Sequence, residues 1–200
     1  MSTRQKLLLT FFIVIGVFSG VSYAQDSPRV VVKKYLDAVR SNDYDKAYAL
    51  ISKTDTTIIN WLKLIQYVKK IAPVRLAEII DLAHTAVRQE VISTSVGNST
   101  ALIKIHSTIP DMEGTLRITQ NAEDIKSLLN RGGLPMKERL GECTLVLEDG
   151  MWRISKVKGI SSDQAADIAT DFAALILGKD EAKRIAKTIE AFMKKQEKGA

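Results

Sequence analysis

Apolar residues return every three or four positions between residues 28 and 87, which is the spacing of helices that bury one face. Pro28 suits the first turn of a helix, Asn42 can cap a second helix, and a third begins near Thr54 or Asp55. Pro73 separates a fourth segment, whose β-branched residues leave a strand open as the alternative. The predicted buried stripes are Val31, Val32, Tyr35, Leu36 and Val39; Tyr44, Ala47, Tyr48 and Ile51; Ile58, Trp61, Leu62, Ile65 and Val68; and Leu76, Ile79, Ile80, Ala83 and Val87.

The period then changes from helical to alternating, which is the pattern of half-buried strands. Gly97-Asn98 is a turn signal, and Asp149-Gly150 predicts a hairpin because both central positions of such a turn need positive φ. Asn121 is expected to cap a short helix within this half of the chain. The predicted strands cover residues 91–96, 101–109, 115–119, 140–147 and 152–157.

The C-terminal segment returns to helical spacing. Ser161-Ser162-Asp163 is a candidate cap for one helix, Gly178 interrupts it, and a last helix has Ile185, Ile189, Phe192 and Met193 on one stripe. Something must cover these apolar stripes, and packing on the domain's own sheet is favoured over self-association or contact with a membrane surface. Helices first and hairpin-linked strands later predict an α+β fold with an antiparallel sheet.

The first 24 residues have the pattern of a cleavable secretion signal. Arg4 and Lys6 precede a run of twelve mostly apolar residues at 7–18, and Ser22 and Ala24 place small side chains before the expected cut. The alternative is an uncleaved anchor, because no charge occurs between Lys6 and Asp26. We expect an exported protein, located in the periplasm or outside the cell.

Three stretches of sequence resemble nuclear transport factor 2-like (cystatin-like) domains of the exported bacterial type. They are PRVVVKKYLDAV at 28–39, DYDKAYAL at 43–50 and LEDGMWRISKV at 147–157. The resemblance implies a cone in which N-terminal helices pack on a curved antiparallel sheet and enclose a pocket. It divides the chain into a signal peptide (1–24), an NTF2-like α+β domain (25–158) and a C-terminal helical extension (159–200).

Composition and charge narrow the classes of function. Hydrophobic residues make up 46% and charged residues 26% of the 200-residue chain, as in ordinary globular proteins. The formal net charge of +6 is mild, and acids are interspersed among the C-terminal lysines, so we expect no nucleic-acid partner. Cys143 is the single cysteine, which excludes an internal disulfide and favours a small buried side chain.

Few residues suggest chemistry. His84 and His106 are the only histidines and lack the spacing of metal ligands, so neither a metal nor a cofactor is expected. In the superfamily that the resemblance points to, isomerases use a buried Asp base, but Asp37, Asp43 and Asp45 fall at solvent or cap positions. Glu142, the best strand acid, alternates opposite Cys143. The candidate pocket-lining residues are Tyr35, Tyr48, Trp61, His106 and Trp152.

We therefore expect an exported non-catalytic binding or interaction module. Its partner would be a small apolar ligand in the pocket or a protein on the open sheet face, and a homodimer is one form of the latter. Membrane contact is expected only through an uncleaved leader or the C-terminal helices. Two alternatives stay open: a lipid carrier of the cell envelope, and a pocket enzyme of isomerase or dehydratase type.

Overall fold

A computed structural model describes residues 26–54, 56–158, 166, 170, 173–174 and 176–198. The predicted signal segment and the predicted helix cap at 161–163 lie outside these residues. The fold is α+β, as predicted, with four antiparallel strands and several helices. In chain order the elements are α1 (Pro28–Arg40), α2 (Tyr44–Tyr48), α3 (Thr56–Ile71), α4 (Val74–Ala86), β1 (Arg88–Val96), β2 (Thr100–Pro110), α5 (Met112–Ile118), α6 (Ala122–Asn130), β3 (Met136–Glu148), β4 (Met151–Val157) and α7 (Lys179–Lys198).

Local signals set the ends of the first helices. Ser27 caps α1 by accepting a hydrogen bond from Val30 N at 3.4 Å, and Pro28 occupies the first turn. The cap of α2 is Asp43 rather than the predicted Asn42, which instead has a φ of 58°. Pro73 separates α3 from α4, so the fourth segment is a helix and not the alternative strand.

The sheet has the order β1-β2-β3-β4, and every neighbouring pair is antiparallel. Asp149 and Gly150 have φ values of 50° and 73°, which confirms the tight hairpin between β3 and β4. The first and third strands begin earlier than the pattern predicted, at Arg88 and Met136, because their exposed ends lack the apolar alternation that marks a buried strand.

The segment after α2 continues the sheet at its β4 edge. The backbone N–H of Ile154 donates to Leu50 O at 2.9 Å, and Ser52 N donates to Ile154 O at 2.8 Å. Ile51 thus forms a parallel bridge to Ile154 instead of extending the second helix, as its apolar spacing had predicted. Ser52 is fully buried, and its hydroxyl donates to Glu148 Oε1.

The predicted strand at 115–119 is wrong, because this region belongs to the short helix α5. Asp111 caps that helix by accepting from Gly114 N at 3.1 Å, and the Thr115 hydroxyl donates to Asp111 O at 2.8 Å. Within the segment Leu116 is buried while Ile118 is 62% exposed, so the apparent alternation did not correspond to one buried face. Four strands therefore form the sheet, where the sequence allowed four or five.

Buried apolar residues form two clusters. The first joins α1, α2 and the start of α3 to the inner face of the sheet, and the second joins the end of α3 to α4, α5, α6 and α7. The stripe of α7 packs in the second cluster, with Tyr67 of α3 and Phe192 of α7 stacked at a centroid distance of 4.1 Å. The covering surface for this stripe is therefore helical, not the sheet face that was favoured.

In the part of the chain described, no helix has both the length and the apolar character that crossing a bilayer requires.

Candidate ligand cavity

A cavity of about 620 Å³ lies where α1, α3 and α4 face the inner surface of the sheet. Helices and strands alike contribute aliphatic side chains to its walls, because each element turns its apolar face inward. Prominent among them are Val32, Leu36, Leu64, Val68, Ile80 and Ile105. This volume is within the range of small-molecule sites in proteins.

Gly141 leaves space in the sheet side of the cavity. It pairs with the buried Ile105 and has the same strand parity as the buried Cys143, so a side chain here would point inward. A Cβ at this position would meet only Ile105 O, at 3.9 Å, which is ordinary van der Waals distance. The absence of a side chain at Gly141 therefore contributes to the cavity volume.

Tyr35 brings a buried hydroxyl to the α1 wall. The residue is 4% exposed, and its hydroxyl has no hydrogen-bond partner among the described residues. Burial, with smaller contributions from Cys143 and Tyr48, raises the pKa of this phenol well above its usual range. The hydroxyl thus stays protonated at physiological pH and is available as a hydrogen-bond donor.

Cys143 is part of the sheet wall and is 1% exposed, as the sequence predicted for a small buried side chain. Burial raises the pKa of its thiol to about 12. Because the thiolate and not the thiol is the nucleophile, this cysteine serves as an apolar lining group.

His84 and Lys69 add polar groups on the helical side. Lys69 Nζ forms an ion pair with Asp81 Oδ1 and donates to Asn42 Oδ1 at 3.1 Å. Burial and the positive charge of Lys69 lower the pKa of His84, and Asp81 opposes them weakly. The imidazole is therefore neutral at neutral pH.

We expect acidification to destabilise the fold through His84. Its folded-state pKa lies below the ordinary value of 6.5, so the unfolded chain takes up the proton first. The resulting stability is present above pH 6.5 and is lost as pH falls through the lowered folded-state pKa. Urea unfolding at about pH 7.5 and about pH 5.5 should give a smaller difference for His84→Gln than for the wild type. His106→Gln is the control, and an equal effect of both substitutions would contradict the assignment to His84.

Tyr35→Phe should stabilise the protein in the absence of ligand, because it removes a buried hydroxyl that lacks a partner. We expect the free energy of unfolding to rise by about 1 kcal/mol. Tyr48→Phe is the matched control: Tyr48 accepts a hydrogen bond from Gln66 Nε2 at 3.0 Å, so its loss should cost roughly 0.5 kcal/mol. Denaturant titrations measure both, and a loss of stability in Tyr35→Phe would mean that the hydroxyl has a partner in solution.

One cross-strand row of the inner sheet face in the cavity is polar, between the rows that contain Ile105 and Ile109. Gln89, Ser107 and Arg139 pair across β1, β2 and β3 and all contribute to the lining. Gln89 Nε2 donates to Ser107 Oγ at 3.4 Å. At another part of the rim, Lys158 Nζ lies 3.2 Å from Glu142 Oε2.

The cavity includes two of the five predicted lining residues, Tyr35 and Trp61. Tyr48 contacts the first core from its edge and bonds to Gln66, and Trp152 is buried in that core beside the β3–β4 hairpin. His106 is on the opposite sheet face from the buried Ile105, because neighbouring side chains of a strand alternate, and its Nε2 lies 3.6 Å from Glu138 Oε2. These three residues are therefore not brought into the cavity.

Sequence reasoning did not select Gly141, His84 or Arg139 for this site. An isolated glycine inside a predicted strand is a signal of close approach or missing bulk, and Gly141 carried that signal. Nothing along the chain indicated that Arg139 would lie beside Gln89 and Ser107, because that depends on strand register.

The described residues contain no group of three or more His, Cys, Asp or Glu side chains placed to hold a metal ion. No protein-family model matches the chain, and no curated protein matches it significantly. Functional inference therefore rests on the cavity and its lining.

Proposed function

We propose that this chain is an exported, non-catalytic binding module of NTF2-like form that holds a small apolar ligand in its cavity. The observation that carries the proposal is the cavity of about 620 Å³ with largely aliphatic walls, found between a helical layer and a sheet. Export to the periplasm or the cell exterior is part of the proposal and rests on the N-terminal pattern of cations, apolar residues and small residues.

The character of the walls supports a functional reason for the cavity. The space opens to solvent at its rim, so water or a ligand occupies it. Aliphatic walls offer water few partners and favour an apolar occupant.

The lining groups favour binding over catalysis. The buried phenol of Tyr35 and the buried thiol of Cys143 are both held in the protonated state. Among the described lining residues Glu142 is the one carboxylate, and it forms an ion pair with Lys158 at the rim. An isomerase of the kind considered above needs a buried carboxylate as its base, which this lining does not supply.

The NTF2-like cone is the architecture that accounts best for the arrangement. Helices α1, α3 and α4 cover the inner face of four antiparallel strands, and the residues that carry the resemblance form α1, α2 and the β3–β4 hairpin. A protein partner or a homodimer remains an alternative use of the outer sheet face, but no described contact favours it.

Native mass spectrometry of the purified protein and titration with the neutral dye N-phenyl-1-naphthylamine test the proposal. We expect a co-purified small molecule, or saturable binding of one dye per chain with enhanced fluorescence in the apolar cavity. Absence of both, with the protein folded, would overturn the proposal. A bound mass larger than the cavity can hold would favour a protein partner.

A further inference from the structure

The sheet wall of the cavity contains one polar cross-strand row among apolar ones, and this row carries information about the ligand. Successive cross-strand rows of the inner sheet face run from Val91, Ile105 and Gly141 to Gln89, Ser107 and Arg139. All of these except Val91 belong to the cavity lining. One register step therefore takes the wall from hydrocarbon and open space to an amide, a hydroxyl and a guanidinium, and the next step along β2 returns it to the apolar Ile109.

Charge at the mouth is dominated by Arg139. The other lining cations each have an acidic neighbour, Asp81 for Lys69 and Glu142 for Lys158. Arg139 has no acidic side chain within ion-pair distance in the described part of the chain. A guanidinium presents up to five N–H donors and suits carboxylate or phosphate oxygens, while Gln89 and Ser107 supply further donors.

We propose that the ligand is a single-chain amphiphile with an anionic head group. The head group lies on Arg139, Gln89 and Ser107, and the hydrocarbon chain enters the cavity past Gly141 toward Cys143. This rests on the proposed binding function and adds the chemical class of the ligand. Carboxylate and phosphate heads share the required chemistry, so fatty acids and alkyl phosphates are two sources of one ligand type.

Displacement of N-phenyl-1-naphthylamine by dodecanoate, dodecyl phosphate and the neutral dodecanol tests the proposal. At an exposed mouth a charge-assisted hydrogen bond is weakened by solvent, so we expect one or both anions to bind about tenfold more tightly than dodecanol. Comparing the two anions distinguishes the head groups. Raising the ionic strength should reduce the preference, because salt screens exposed charges.

Arg139→Gln should abolish the preference for anions over dodecanol, because it removes the guanidinium and keeps the aliphatic walls that hold the chain. Arg139→Lys should restore part of it. Arg88→Gln is the matched control: it removes the same charge from β1 at an exposed position next to Gln89, on the opposite sheet face. It should leave the preference intact.

The outcomes separate this inference from the proposed function. Equal binding of anions and dodecanol by the wild type, or equal effects of Arg139→Gln and Arg88→Gln, would overturn the anionic head group and leave apolar binding in place. If neither the dye nor any dodecyl compound binds the folded wild type, the proposed function and this inference fail together.

Discussion

Gly141→Leu should weaken binding of N-phenyl-1-naphthylamine by about a hundredfold while the protein remains folded. The new side chain would project into the cavity and displace ligand from about three or four methylene-sized contacts, each worth about 0.8 kcal/mol. Folding should tolerate the change, since Gly141 has ordinary strand geometry and its first added atom makes only normal contact with Ile105 O, at 3.9 Å. Dye titration and urea unfolding of the same preparations measure the two effects.

Gly141→Ala provides the control for this substitution. Its single methyl group occupies little of the space, so dye affinity should change by less than about threefold. Stability should rise by about 0.5 kcal/mol, because glycine loses more backbone entropy than alanine in a strand. Unchanged dye affinity in a folded Gly141→Leu protein would place the binding site elsewhere, and the groove between α3 and α7, which includes Tyr67 and Phe192, would be the next site to test.

Ile154→Ala should lower the free energy of unfolding by about 3 kcal/mol, the largest stability effect we expect from one truncation. Ile154 is fully buried in the first cluster, between the sheet and α1. Its backbone pairs on one side with Leu145 and on the other exchanges hydrogen bonds with Leu50 and Ser52. Alanine preserves these backbone bonds, so the loss measures packing and the cavity left by the removed carbons.

Two comparisons make the stability result specific. Ile154→Val should cost about 1 kcal/mol, since it removes one methylene from the same position. Lys156→Ala, on the exposed face of the same strand, should change stability by less than about 0.5 kcal/mol. Urea titrations with unchanged slope would confirm that only stability differs. A cost below about 1 kcal/mol for Ile154→Ala would mean that the first cluster does not hold the sheet to α1.

The two effects are expected in different observables because only part of the first cluster lines the cavity. Tyr35 belongs to that cluster and also to the cavity wall, as does Cys143. Residues such as Ile154 and Leu145 are packed without lining the space. A substitution can therefore fill the cavity without disturbing the packing that holds helices to sheet.

The sequence by itself determined those elements whose signals are local. Pro28 begins α1, Pro73 divides α3 from α4, and Asp149-Gly150 closes the hairpin, because each acts through its own backbone geometry. The apolar alternation around Cys143 likewise placed that thiol in the interior.

Only the tertiary structure decided which segments meet. Asp111 caps a helix in which Leu116 is buried, so residues 115–118 are helical despite their strand-like pattern. Ile51 does not extend the second helix, because its neighbours Leu50 and Ser52 form backbone hydrogen bonds with Ile154 at the sheet edge. The polar row at the cavity mouth likewise depends on the register of three strands, and register joins residues too distant along the chain for any local pattern to specify.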